Sequence, residues 1–181
     1  MSTECAPSEH GTVRVLDCVD PAVFDRLYDM LNGINVPLKS TKNNNSRKGF
    51  DTHRSMTFGL VKVRYRGTVG LSSPSVQYPA MYAEMRRIAH LIAPDFGFSS
   101  IHVNKNVTCP RHKDDNNVGP SLIVSFGEYT GCELVVEDVE VDTRFRPVIF
   151  DGSKLVHMNR PTLVGTKYSL VFFNSKHAMR S

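Results

Sequence analysis

The spacing of apolar positions changes near the middle of the chain. N-terminal to Gly97, two segments carry apolar residues three and four apart, the period of a helix packed on one face. In the first, Val23, Phe24, Leu27 and Leu31 share a face. Asp20 stands as N-cap, Pro21 at the first helical position and Gly33 as the stop, which predicts a helix over 20–33. In the second, Met81, Met85, Ile88, Leu91 and Ile92 predict a helix over 79–93, ended by Pro94. Core packing accounts for the methionines. Strands are expected at 12–16 and 56–66, the latter with Lys62, Arg64 and Arg66 on one face. Residues 1–11 read as disordered, 39–51 as a polar loop, and the stretch with Ser72, Ser73 and Ser75 as a connection.

From Phe98 onward the period shortens to two. Short apolar runs separated by turn residues predict strands at about 98–108, 121–126, 133–137, 139–144, 147–150, 155–158 and 168–173. Strands at this density form a sandwich or barrel. The chain therefore reads as mainly β with flanking helices (α+β), the two helices bracing one sheet from outside. The strand Ile101–Asn106 is unusual, because His102, Asn104 and Asn106 occupy one face and Ile101 and Val103 the other. His102 reads as a structural histidine.

Chemistry gathers in the same half. His112 and Asp114, two apart in Cys109-Pro-Arg-His-Lys-Asp-Asp-Asn-Asn, project from one face of a strand, and His157 follows in Leu155-Val-His-Met-Asn. Two imidazoles and one carboxylate on one side of a metal leave the other side open, the donor set of non-haem Fe(II) oxygenases. A rival set, Cys109, His112, Cys132 and His157, would make a structural zinc site, but leaves Asp114 unused. The other two cysteines, Cys5 and Cys18, show no paired spacing, and free thiols are the simplest reading for all four.

Ten residues after His157 comes Lys167, with Ser169 two further on, opening the strand Tyr168-Ser-Leu-Val-Phe-Phe. With His112, Asp114 and His157, this pattern resembles the 2-oxoglutarate- and Fe(II)-dependent dioxygenases. The resemblance covers roughly 98–174 and implies a double-stranded β-helix of jelly-roll, cupin-like type as the core of one domain spanning 1–181. It implies Fe(II), 2-oxoglutarate and dioxygen as cofactor and co-substrates, with ascorbate a stimulant, and succinate and CO₂ as products of a C–H hydroxylation. Lys167 and Ser169 would hold the far carboxylate of 2-oxoglutarate. Lys offers a point charge where many members of the superfamily use the Arg fork. Asn104 or Asn106 would bond the co-substrate, and Arg160 would pair with it or with a substrate phosphate, unless it forms a surface salt bridge. The run from His112 to Leu134 is most similar to the TET/JBP group, which oxidises methyl groups of thymine or 5-methylcytosine, although Cys132 stands where that pattern has a second Gly.

Charge bears on the partner. The whole chain of 181 residues is +4, yet residues 36–67 carry Lys39, Lys42, Arg47, Lys48, Arg54, Lys62, Arg64 and Arg66 against Asp51 alone, so the rest is net acidic. A basic block on an acidic body suggests nucleic acid, with a solvated loop as the plain alternative. Arg54 and His53 would touch substrate if that loop closes over the pocket. No apolar run reaches membrane-spanning length and the N-terminus is polar, so an intracellular (cytoplasmic or nuclear) location and no membrane partner are expected. Two other function classes stand beside a nucleic-acid dioxygenase. One is a hydroxylase of a protein side chain or small metabolite with the same iron site. The other is a jelly-roll binding module in which the triad is coincidental and no redox chemistry occurs. Oligomeric state is not legible.

Overall fold

The computed structural model describes residues 12–40, 52–63 and 67–180. Readings that fall on residues 1–11, on Lys42, Arg47 and Lys48, or on Arg64 and Arg66 lie outside the described residues. In chain order the elements are β1 (Arg14–Val15), a 3-10 turn (Pro21–Phe24), α1 (Asp25–Asn32), β2 (Leu38–Ser40), β3 (Thr52–Lys62), β4 (Val69–Leu71), α2 (Ser73–Gln77) and α3 (Pro79–Ile92). There follow β5 (Ser100–Lys105), β6 (Cys109–His112), β7 (Ser121–Phe126), β8 (Tyr129–Gly131), β9 (Leu134–Val136), β10 (Val139–Val141), β11 (Val148–Phe150), β12 (His157–Asn159), β13 (Thr162–Gly165) and β14 (Tyr168–Phe173).

The strands form a jelly roll. A large sheet runs β1-β11-β7-β14-β5-β3-β2, with β4 paired to β3. A smaller sheet runs β10-β9-β12-β6, and β13 and β8 form a separate ladder. All named pairs are antiparallel. Alternation decides which way each side chain of the large sheet points. Ile101 and Val103 of β5, Leu122, Val124 and Phe126 of β7, and Leu170 and Phe172 of β14 face outward into a core completed by Leu27 and Leu31 of α1 and Met85 and Ile88 of α3. The intervening positions face inward. Opposite the edge of the large sheet, Val148 and Phe150 of β11 pack with Leu134, Val136 and Val141 of the small sheet in a second core inside the roll.

The helix signals act as read, with one change at each. Asp20 accepts the Ala22 N–H at 3.0 Å, but the turn it caps is 3-10 and the α-helix proper starts at Asp25. The Ser72-Ser-Pro-Ser stretch is not a plain connection. Ser72 caps the one-turn helix α2, its Oγ accepting the Ser75 N–H, with Pro74 in the first turn. No helix among the described residues is long and apolar enough to cross a membrane.

Phe24 is a test of the outer core that does not touch the inner face. It is 1% exposed and stacks on Phe126 at 5.1 Å between ring centroids. Phe24→Ala is expected to lower stability by about 3–5 kcal/mol in urea denaturation. Metal affinity of the folded fraction should stay unchanged.

Candidate metal centre

The site is built first by strand register. In the pairing of β12 with β6, His157 lies directly opposite His112, and their ring centroids are 4.2 Å apart. Asp114 is not on the strand, as the two-residue spacing suggests. β6 ends at His112, and Asp114 sits in the following loop, where its N–H donates to the Gly152 carbonyl at 2.8 Å and its carbonyl accepts from the Asn117 N–H at 2.9 Å. Its carboxylate lies between the two rings: Oδ1 is 3.5 Å from His112 Nε2 and Oδ2 is 3.4 Å from His157 Nε2. One donor atom from each of the three residues falls within 4.8 Å of the others.

The backbone sets which ring nitrogen is available. His112 Nδ1 is 2.8 Å from the Pro110 carbonyl and His157 Nδ1 is 3.0 Å from the Leu155 carbonyl. A carbonyl only accepts, so each Nδ1 carries its proton and each Nε2 faces Asp114, the tautomer a metal ligand requires. In the metal-free protein, burial works against a charge on His112, but Asp114 and Cys109 outweigh it and push its pKa up to about 10. Burial likewise opposes ionisation of Asp114, and the two imidazoles overcome it, holding the carboxyl well below its usual range. These donors fit a divalent cation with mixed nitrogen and oxygen preference. The rival zinc set is not assembled: the donor cluster among the described residues is His112, Asp114 and His157 without either cysteine, and Cys132 Sγ engages Lys167 and Asn159.

A cavity of about 180 Å³ extends from the triad along the inner face of the large sheet. Lys167, Ser169, Asn104 and Asn106 all line it, whereas Arg160 does not. Arg160 is exposed and pairs through Nε and Nη2 with Glu140 at 2.9 and 2.6 Å, so the alternative of a surface salt bridge replaces the cofactor-binding expectation. Lys167 precedes β14 and is 6% exposed. Its Nζ donates to the Cys132 carbonyl at 2.8 Å and lies over the Tyr129 ring. Among the described residues no carboxylate pairs with it, an expensive state for a buried cation and a good one for meeting an anionic ligand. Asn104 stands opposite Ser169 in the β5–β14 ladder and reaches its Oγ at 3.4 Å. Asn106 has left the strand with φ 50°, and its side chain is committed to the turn, accepting the Lys167 N–H at 2.6 Å and donating to the Gly165 carbonyl. Asn104 is thus the better placed of the two alternatives.

Two residues that periodicity does not single out belong here. The Tyr129 ring lies under Lys167 Nζ and its hydroxyl is buried; burial, with the charge of Asp142, drives its pKa upward. Gly152 lies so close to the triad that a Cβ there would sit 3.0 Å from Asp114 Oδ2 and 3.1 Å from His157 Cε1. An Asp-Gly turn is visible in sequence, but the approach to Asp114 is not. The two sequence-predicted substrate contacts fare differently. Arg54 donates to Asn35 Oδ1 and the Val36 carbonyl and so fastens the chain after α1, and His53 pairs across β2–β3 with Lys39.

No protein-family model matches the chain, and no curated protein matches it in sequence. Solved structures do match in fold. NgTET1 in complex with 5mC DNA aligns with a TM-score of 0.64 at 13% identity, over 92% of this chain and 73% of that one. An oxidoreductase of the 2OG-Fe(II) oxygenase family from Burkholderia pseudomallei aligns at 0.54 and 16%, over 92% and 86%. A Pseudomonas putida prolyl-4-hydroxylase aligns at 0.52 and 14%, over 93% and 94%. The chain therefore has the double-stranded β-helix fold of the 2-oxoglutarate/Fe(II) oxygenases, with a His-His-Asp cluster at its centre.

Two measurements test the centre. Gly152→Ala is expected to weaken Mn(II) binding by roughly tenfold, the size of effect a disturbed ligand support produces, in calorimetric titration. Because His112 must shed its proton to ligate, wild-type affinity should rise roughly tenfold per pH unit between about pH 6 and 8, with about one proton released per ion. Equal heats in buffers of different ionisation enthalpy would refute that release.

Proposed function

We propose that the protein is a 2-oxoglutarate- and Fe(II)-dependent dioxygenase that hydroxylates a C–H bond, with the methyl group of 5-methylcytosine or thymine in nucleic acid as its substrate. The observation that carries the reading is one cavity with a three-donor cluster at one end and, in its wall, a buried lysine that no carboxylate among the described residues pairs with. His112, Asp114 and His157 would hold the iron on one side and leave its cavity side open. When bound, that iron would supply the oxidative chemistry coupling dioxygen and 2-oxoglutarate to hydroxylation, with succinate and CO₂ released. Lys167 would meet the distal carboxylate in a charge-assisted contact, with Ser169 and Asn104 as further donors. Ile123, Leu134 and Val171 line the cavity with apolar surface and limit water near the reacting atoms.

Nucleic acid is favoured by the fold shared with a protein solved on 5mC DNA and by two exposed cations, Arg111 and Lys113, next to His112 in sequence. Arg54 no longer counts toward a phosphate contact, since it is engaged within the fold. The shared fold with a prolyl-4-hydroxylase supports the second reading, hydroxylation of a protein side chain. The reactions separate cleanly. Anaerobic addition of Fe(II) and 2-oxoglutarate should give a visible charge-transfer band that His112→Ala abolishes. With air admitted, methylated oligonucleotides rather than peptides should gain one oxygen atom by mass. A folded protein with no band would defeat the dioxygenase reading, and peptide-only oxidation would move the substrate to protein.

A further inference from the structure

Among the described residues the Lys167 ammonium takes both of its hydrogen bonds from one residue. Its Nζ donates to the carbonyl of Cys132 at 2.8 Å and to Cys132 Sγ at 3.2 Å. Cys132 is itself unusual: 2% exposed, with φ 66°, a left-handed backbone that L side chains adopt only when the surroundings enforce it. The enforcement is visible. The Cys132 N–H donates to the Pro161 carbonyl at 3.0 Å, and Asn159 Nδ2 donates to Sγ at 3.1 Å. Asn159 lies two residues past His157 in β12, and its Oδ1 accepts the Cys109 N–H at 2.9 Å, tying the same side chain to the strand that carries His112.

We propose that Cys132 is the positioning residue for Lys167, its carbonyl and sulfur together fixing the direction in which the ammonium points. An ammonium has three donors. Two are spent on Cys132, and the third is left for an anionic ligand in the cavity. A lysine stem rotates about four bonds, so one acceptor sets a distance but not a direction, and the sulfur supplies the second fixed point. The left-handed backbone is what turns the carbonyl and the side chain of one residue toward the same nitrogen. Asn159 then relates this anchor to the triad through a single amide. The part of this inference that concerns co-substrate affinity rests on the reading of the cavity as a 2-oxoglutarate site; the part that concerns Lys167 does not.

The test uses the full chain and two readouts. Cys132→Ala is expected to weaken 2-oxoglutarate binding about tenfold, the loss of one contact to a charged group, while Mn(II) affinity stays at the wild-type value. Cys132→Ser, which keeps an acceptor at the position, should recover most of the loss. In a Lys167→Met background Cys132→Ala should cost nothing further. Independently of any ligand, the Lys167 ¹⁵Nζ resonance should be visible in the wild type and in Cys132→Ser through slow proton exchange, and lost in Cys132→Ala. Unchanged affinity together with an unchanged resonance in Cys132→Ala overturns the proposal, as does an equal loss of affinity in the Lys167→Met background. If the wild type binds no 2-oxoglutarate and the resonance still depends on Cys132, the positioning role stands and the co-substrate reading falls.

Discussion

The pairing of His157 with His112 across β12 and β6 is the constraint on which the site depends. Register in an antiparallel ladder is discrete, and a slip of one residue would turn one ring to the opposite face of the sheet. The small sheet holds that register with little length, since β12 has three residues and β6 four. Its apolar neighbours supply the rest. Val136 lies opposite His157 on the other flank of β12, and Phe150 meets the His157 ring edge-on at 5.1 Å. The second core is therefore small but placed where it fixes an imidazole, which is the support a metal ligand needs to keep its orientation.

The third residue of the cluster is held by different means. Asp114 lies beyond the strand, and a carbonyl from Gly152 and a turn to Asn117 define its backbone. This explains why the His-x-Asp spacing is informative about the donor set and misleading about the geometry. Two residues apart on a strand gives a shared face, but here the shared position comes from a contact with the turn after β11. Where one face of a strand is buried on the helices, sequence is a good guide: β7 and β14 lie at 121–126 and 168–173 as their apolar runs suggest. Where neither face is buried deeply, period carries no signal. β13 contains Leu163 and Val164, 74% and 68% exposed, and does not stand out in the pattern. Serines obscured α2 in the same way, because capping and turn formation use the same residues.

Candidate chemistry was legible by type more than by position. His112, Asp114, His157, Lys167, Ser169 and Asn104 all line one cavity, and their residue types suffice to suggest an ion and an anion. Asn106 and Arg160 show the limit of that approach. Both are polar and near ligands in sequence, yet one clips the turn before β14 and the other pairs with Glu140 at the surface. Tyr129 shows the converse, since its place beside Lys167 depends on pairing β8 with β13, just before Lys167, a long-range contact that no local pattern encodes.

The two ends of the cavity belong to different layers of the roll. The triad is carried by the small sheet and the loop after β6, while Ser169 and Asn104 stand side by side on the inner face of the large sheet. The distance between the His-His-Asp cluster and the Lys167 end of the cavity is therefore set by how the two sheets are spaced, not by either strand alone. Lys167 crosses that gap, since it leaves the chain at the start of β14 and ends on the carbonyl of Cys132, beside β9. Asn159 closes the loop from the other direction, from the His157 strand to Cys132. A ligand that must touch an ion at one end and an ammonium at the other is measured against this spacing. Close packing resists changes in it far more stiffly than a flexible side chain would. The span between the two ends thus follows from the sandwich itself, before any particular side chain acts.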